Sequence, residues 1–141
     1  MLILKGTTMN KDAYYFSHDA NASQDPKIVQ LLSVYGYEGY GWYWRLVEMM
    51  REQETHEIKI KGKYAMQGLA ASLFTTAEKI TTFIDDCVNE FGLFLTDGEH
   101  LWSESLKRRM ELYEEKRAKR AEAGKAGAEA RWTPKQPHSN A

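Results

Sequence analysis

An Asp-Gly pair between two short apolar runs, Asp97-Gly98 within Gly92–Trp102, constrains this chain more than any other feature. That dipeptide favours the positive-φ turn of a β-hairpin. A two-residue turn there pairs Phe94 with Leu101 on one face, and Leu93 with Trp102 and Leu95 with His100 on the other. The hairpin follows a segment of clean helical period, Ile80, Phe83, Ile84, Cys87, Val88 and Phe91. Thr75 and Glu78 match a capping box at the start of that helix, after a break at Phe74-Thr75-Thr76. Another helix is expected from about Lys63 to Leu73, with Tyr64, Leu69, Ala70 and Leu73 inward. Before it, Glu57-Ile58-Lys59-Ile60-Lys61 alternates as a short, half-buried strand does.

Two further helices precede that strand. Asp25 suits an N-cap and Pro26 the first helical position. Ile28, Leu31, Leu32 and Tyr35 then share one face until Gly36 closes the segment. The next helix, from about Gly39 to Gln53, carries Tyr43, Leu46, Val47 and Met50 as its main stripe. Trp42 and Met49 form a second line on it, so this helix is central to the core or part of an interface. Helix, strand, helix, turn, helix, hairpin is the order of a winged helix-turn-helix. The predicted class is therefore mainly α with a small β-hairpin: a winged helix with an extra N-terminal helix and a charged C-terminal helix.

The expected organisation is an N-terminal extension at 1–9, the winged-helix domain at 10–103, a charged helix at 104–123 and a Gly/Ala-basic flexible tail at 124–141. Leu106, Met110 and Tyr113 give the charged helix only a thin apolar stripe, Gly124 and Gly127 weaken its end, and Thr133-Pro134 stops it. Met9 offers a second start site. A hydrophobic content of 43% is enough for one real core. The single cysteine, Cys87, excludes an intramolecular disulfide and fits a reducing cytoplasm. Leu2-Ile3-Leu4 is too short for a signal-peptide core or a membrane span.

Charge is unevenly placed along the chain. Residues 1–103 carry nine Lys/Arg against fourteen Asp/Glu, a balance of −5, and residues 104–141 carry ten against six, a balance of +4. Such a basic arm suits phosphate contact without sequence reading, or a solvated helix rich in salt bridges. Its nucleic-acid candidates are Lys107, Arg108, Arg109, Lys116, Arg117, Lys119, Arg120, Lys125 and Arg131, interleaved with Glu111, Glu114, Glu115 and Glu122. The natural DNA reader of a winged helix would instead be the helix from Thr76 to Phe91. Its outward positions Glu78, Lys79, Thr82, Asp85, Asp86 and Asn89 hold three acids and one lysine, which disfavours major-groove insertion.

Partner-binding candidates are the acids Glu78, Asp85 and Asp86 and the crowded aromatics Tyr37, Tyr40, Trp42 and Trp44. The aromatics have the chemistry to stack on bases, but core packing or the seam of a homodimer is the favoured use. His18 reads as a hydrogen-bonded structural residue and Cys87 as core. With no His pair at metal-ligand spacing and no nucleophile or carboxylate pair arranged for catalysis, neither a metal, a cofactor nor an enzymatic activity is expected.

Several segments together resemble a known family. They are Tyr14-Tyr15-Phe16-Ser17-His18-Asp19, Asp25-Pro26-Lys27-Ile28, Gly36-Tyr37-Glu38-Gly39-Tyr40-Gly41-Trp42-Tyr43, Phe91-Gly92-Leu93-Phe94 and Ala130-Arg131-Trp132. The series resembles the N-terminal domain of phage and prophage replisome organisers of the Lin1244/Lin1753-like type, related in layout to DnaD-like primosome proteins. The resemblance implies a phage-encoded protein in the bacterial cytoplasm. Its partners would be replication proteins, with sequence-tolerant DNA contact and no membrane. Such proteins continue into a C-terminal domain, so a chain ending at Ala141 is either a piece of a longer protein or a module that works alone. Two other functions fit the same residues. One is an anti-CRISPR inhibitor whose acidic body blocks an RNA-guided host defence nuclease. The other is a DNA-binding transcriptional regulator, which the acidic reader helix disfavours.

Overall fold

The computed structural model describes residues 15–132. The extension expected at 1–9 and the Thr133-Pro134 stop lie outside the described residues. A 3-10 turn at Ala22–Gln24 leads into α1 (Pro26–Glu52). The Asp25 carboxylate accepts the Lys27 N–H at 2.8 Å, and Pro26 opens the first turn as expected. Gly36, at φ 66 and ψ −160, breaks α1. The helix resumes at Tyr37, earlier than the expected Gly39. That backbone region is open essentially to glycine alone, so the expected stop is a kink between two helical halves. Gly39 is buried in the turn after the kink, where a Cβ would come within 3.2 Å of Phe83 Cε1.

Helices α2 (Ala65–Ser72) and α3 (Ala77–Asn89) pack on one another. Tyr64, expected inward, is 64% exposed. It is the N-cap of α2 with non-helical φ and ψ, so the helical phase starts only after it. Phe74, in the break, adopts φ 56 and stands 97% exposed. Helix α3 is capped one residue later than the expected Thr75. The Oγ1 of Thr76 accepts the Lys79 N–H at 3.3 Å, and the Thr75 N–H, which a capping box would give to Glu78, goes instead to Ala70 O at 3.0 Å in closing α2.

The hairpin gains a third strand. Strands β1 (Glu57–Lys59), β2 (Leu95–Thr96) and β3 (His100–Trp102) form an antiparallel sheet in the order β1-β3-β2. Leu95 faces Trp102 and Thr96 faces Leu101, two residues along from the expected pairing of Leu95 with His100. Side chains in the loop set this register. Asp97 Oδ1 accepts the Glu99 N–H at 2.9 Å and the His100 N–H at 2.8 Å, which closes a wider loop than a two-residue turn. Thr96 Oγ1 accepts the Gly98 N–H at 3.0 Å and donates to His100 O at 2.6 Å. An even slip leaves every side chain on its expected face, and Phe94 and Leu101 remain buried.

The core joins α1, α2, α3 and the sheet through Leu31, Leu46, Met50, Leu69, Ile80, Phe83 and Leu101. Helix α4 (Glu104–Trp132) begins at the buried Ser103, whose Oγ accepts the Leu106 N–H at 3.1 Å. Leu106 and Met110 dock its first turns. The helix continues through Gly124 and Gly127 to Trp132, beyond the expected end at Ala123 and into the stretch expected as a flexible tail. Each glycine costs about 1 kcal/mol against alanine, but alanines at 121, 123, 126, 128 and 130 are the best helix formers available. From Glu114 onward α4 is exposed, apart from the half-buried Ala128.

Candidate nucleic-acid and partner surfaces

The crowded aromatics are mostly interior. Trp42 is 7% exposed and lies edge-on to Phe83 at 5.2 Å. Trp44 stacks on His18 at 3.8 Å and meets Tyr43 and Tyr40 edge-on, so His18 serves as an aromatic platform rather than through a hydrogen bond as expected. The buried Trp44 Nε1 has no hydrogen-bond partner. Of the four, only Tyr37, 84% exposed, is open to solvent. Tyr40 follows the kink by about one helical turn and Tyr43 and Trp44 by about two, on the half of α1 whose rings pack onto the body.

The acidic set divides in the same way. Asp86 accepts a hydrogen bond from the Tyr35 hydroxyl, and burial together with this carboxylate pushes the Tyr35 pKa well up. Asp85 is exposed and accepts from Asn89 Nδ2 at 2.8 Å. Glu78 is exposed in the first turn of α3. Glu78 and Asp85 are thus the acids of α3 free to meet a cation, while Asp86 holds α1 to α3.

Of the nine basic candidates, two are tied to the body. Lys107 pairs with Glu57 and lies over the Trp102 ring, 4.8 Å from its centroid. Arg109 donates to Ser17 O at 2.6 Å and to Asp19 Oδ2 at 3.0 Å. Arg131 lies near the end of α4, its Nε 3.4 Å from Gly127 O. Arg108, Lys116, Arg117, Lys119, Arg120 and Lys125 are exposed on α4. Glu111, Glu115, Glu122 and Glu129 recur at four- and seven-residue spacings, which puts them on one side of the helix. Lys116 and Arg120 fall on another side, where they line a cleft of about 480 Å³ between α4 and residues 15–17. Tyr15 and Leu112, each 57% exposed, are among its apolar lining, with Phe16, Met110 and Tyr113. Sequence reasoning missed Tyr15 as a surface residue, because nothing in the pattern ties it to a helix about ninety residues later.

A second cleft, about 530 Å³, lies between residues 16–28 and the start of α4. It mixes Lys27, Arg108 and Arg109 with Asp19, Asp25 and Glu104, so its charges largely answer one another. The interior titratable groups are held neutral. Burial pushes the Cys87 thiol far up, and pushes Tyr43 up to about 12. Among the described residues no cluster of His, Cys, Asp and Glu has the makings of a metal site. No described helix is long and apolar enough to cross a membrane.

A mainly helical domain with a three-stranded antiparallel sheet and a long basic helix is the class these elements define. The model of the family described as Lin1244/Lin1753-like, N-terminal, matches residues 15–106, and the chain belongs to that family. The matched region takes in everything from the Tyr15 segment to the docked first turn of α4. No curated protein and no solved structure matches the chain.

Proposed function

We propose that the chain is a non-catalytic replication-initiation module of a phage, resembling a replisome organiser, that docks protein partners and holds nucleic acid without reading its sequence. The fold would be a winged helix. In its support, α2 and α3 pack as a pair, the β2–β3 hairpin follows α3, and β1 completes the sheet beside β3. The observation that carries the function is the separation of charge between two helices. Where a winged helix would read bases, α3 presents Glu78 and Asp85, which repel phosphates and suit a basic protein surface. Helix α4 presents Arg108, Lys116, Arg117, Lys119 and Arg120 to solvent, and cations on an exposed helix bind phosphates through counterion release.

The test is binding to labelled DNA of several unrelated sequences across a salt series. Replacing Lys116, Arg117, Lys119 and Arg120 together by alanine weakens binding on every sequence and flattens the salt dependence. Lys79→Ala changes little. The reverse pattern, with Lys79 decisive and the α4 cations dispensable, places the reader on α3 and refutes the proposal.

A further inference from the structure

We propose that the cleft between α4 and residues 15–17 is a site for single-stranded nucleic acid, stacking a base on Tyr15 and seating phosphates on Lys116 and Arg120. This rests on the α4 reading above and adds to it a choice of strand form. The cleft, about 480 Å³, is within the size range of ligand pockets. Its charged lining consists of Arg109, Lys116 and Arg120, with no carboxylate. Its wall is fixed by the backbone: Arg51 Nε donates to Tyr15 O at 2.7 Å, and Arg109 Nη1 donates to Ser17 O at 2.6 Å. Tyr15 is therefore anchored through its backbone in the lining it shares with the cations while remaining 57% exposed.

An exposed ring in a cationic cleft matches the two halves of a nucleotide, a planar base and an anionic phosphate. Lys116 and Arg120 stand one helical turn apart, a rise of about 6 Å, which suits successive phosphates of an extended strand. A duplex hides its base faces within the stack, whereas a single strand offers each face to an aromatic side chain. The chain's own residues 1–14 carry Lys5 and Lys11 against Asp12. Their net positive charge does not complement this cleft. An acidic peptide would satisfy the cations but gives Tyr15 no planar partner.

The experiment is fluorescence anisotropy on the full chain with a labelled oligothymidylate of about twelve nucleotides, alongside the same strand in a duplex with oligodeoxyadenylate. The single strand is expected to bind more tightly. Tyr15→Ala is expected to lower single-strand affinity about 5- to 150-fold, the range found for loss of one stacked base, with little change for the duplex. Tyr15→Phe is expected to retain the affinity, and Lys116→Ala with Arg120→Ala to weaken both forms. Because the Tyr15 side chain is largely exposed and the segment is held by its backbone, these variants keep the fold, which circular dichroism verifies. Binding that survives Tyr15→Ala unchanged yet disappears with the four α4 cations overturns the inference and leaves the α4 reading standing. Absence of binding to either form overturns both. Displacement of the oligonucleotide by polyglutamate as readily as by unlabelled strand also overturns the inference.

Discussion

The kink in α1 makes three nearby glycines behave differently, and a substitution series separates them. At Gly36 a Cβ meets nothing within 4 Å, yet φ 66 with ψ −160 is a backbone state that L side chains avoid. Gly36→Ala therefore costs about 1–3 kcal/mol through strain alone. At Gly39 the backbone is helical, but an added Cβ falls against Tyr35 Cβ and lies 3.2 Å from Phe83 Cε1. Overpacking of that kind costs about 1–3 kcal/mol, partly offset by the better helix propensity of alanine. At Gly41 the backbone is helical and the space open, so Gly41→Ala stabilises by about 0.5–1 kcal/mol. Gly36→Ala and Gly41→Ala should then differ by about 1.5–4 kcal/mol, with opposite signs. Urea unfolding at constant m-value reads this as midpoints separated by on the order of 1 M. If Gly36→Ala were as stabilising as Gly41→Ala, α1 would run unbroken and the kink at Gly36 would be refuted.

Three further outcomes are expected. His56 has its pKa lowered by burial and by the nearby Arg51 and Lys107. The unfolded chain thus binds a proton before the folded one does, and stability falls as pH drops below 6.5 toward the lowered value. His56→Asn, which tolerates the φ of 57 at this position, flattens that part of the stability–pH curve; an unchanged slope assigns it to other groups. Arg109→Ala removes the donor to Ser17 O, which frees residues 15–19 and raises their amide exchange and proteolysis, while the denaturation midpoint falls modestly. Preserved protection at 15–19 would show that the Arg51 bond to Tyr15 O and the stacking of His18 on Trp44 suffice to hold them. Finally, a molar excess of the chain leaves duplex cleavage by purified RNA-guided nucleases intact. Inhibition that is lost with Glu78→Lys and Asp85→Lys would assign the acidic side of α3 to a nuclease groove instead.

Local patterns were sufficient for most of the helices. The Asp25-Pro26 start, the 3.6-residue stripe from Ile80 to Phe91 and the break at Phe74 are one-dimensional signals, because capping and amphipathic burial depend on neighbours a few residues away. Gly36 was legible as an interruption, although whether the chain would end or kink there depended on the packing of Gly39 against Phe83. The pairing of β1 with β3 was not legible, since the partners Ile58 and Leu101 are far apart in sequence and alternation does not name a partner. The hairpin register escaped for a local reason of another kind: Thr96 and Asp97 side chains bond the loop backbone and outcompete the two-residue turn. For the candidate site, the sequence determined the charges, a basic α4 and an acidic outer side of α3. Only the tertiary structure decided which of them are spent, tying Lys107 to Glu57, Arg109 to Ser17 and Asp19, and Asp86 to Tyr35. It also set Tyr15 beside Lys116 and Arg120. A side chain's charge is a property of its type, whereas its availability depends on what folding brings within hydrogen-bond reach.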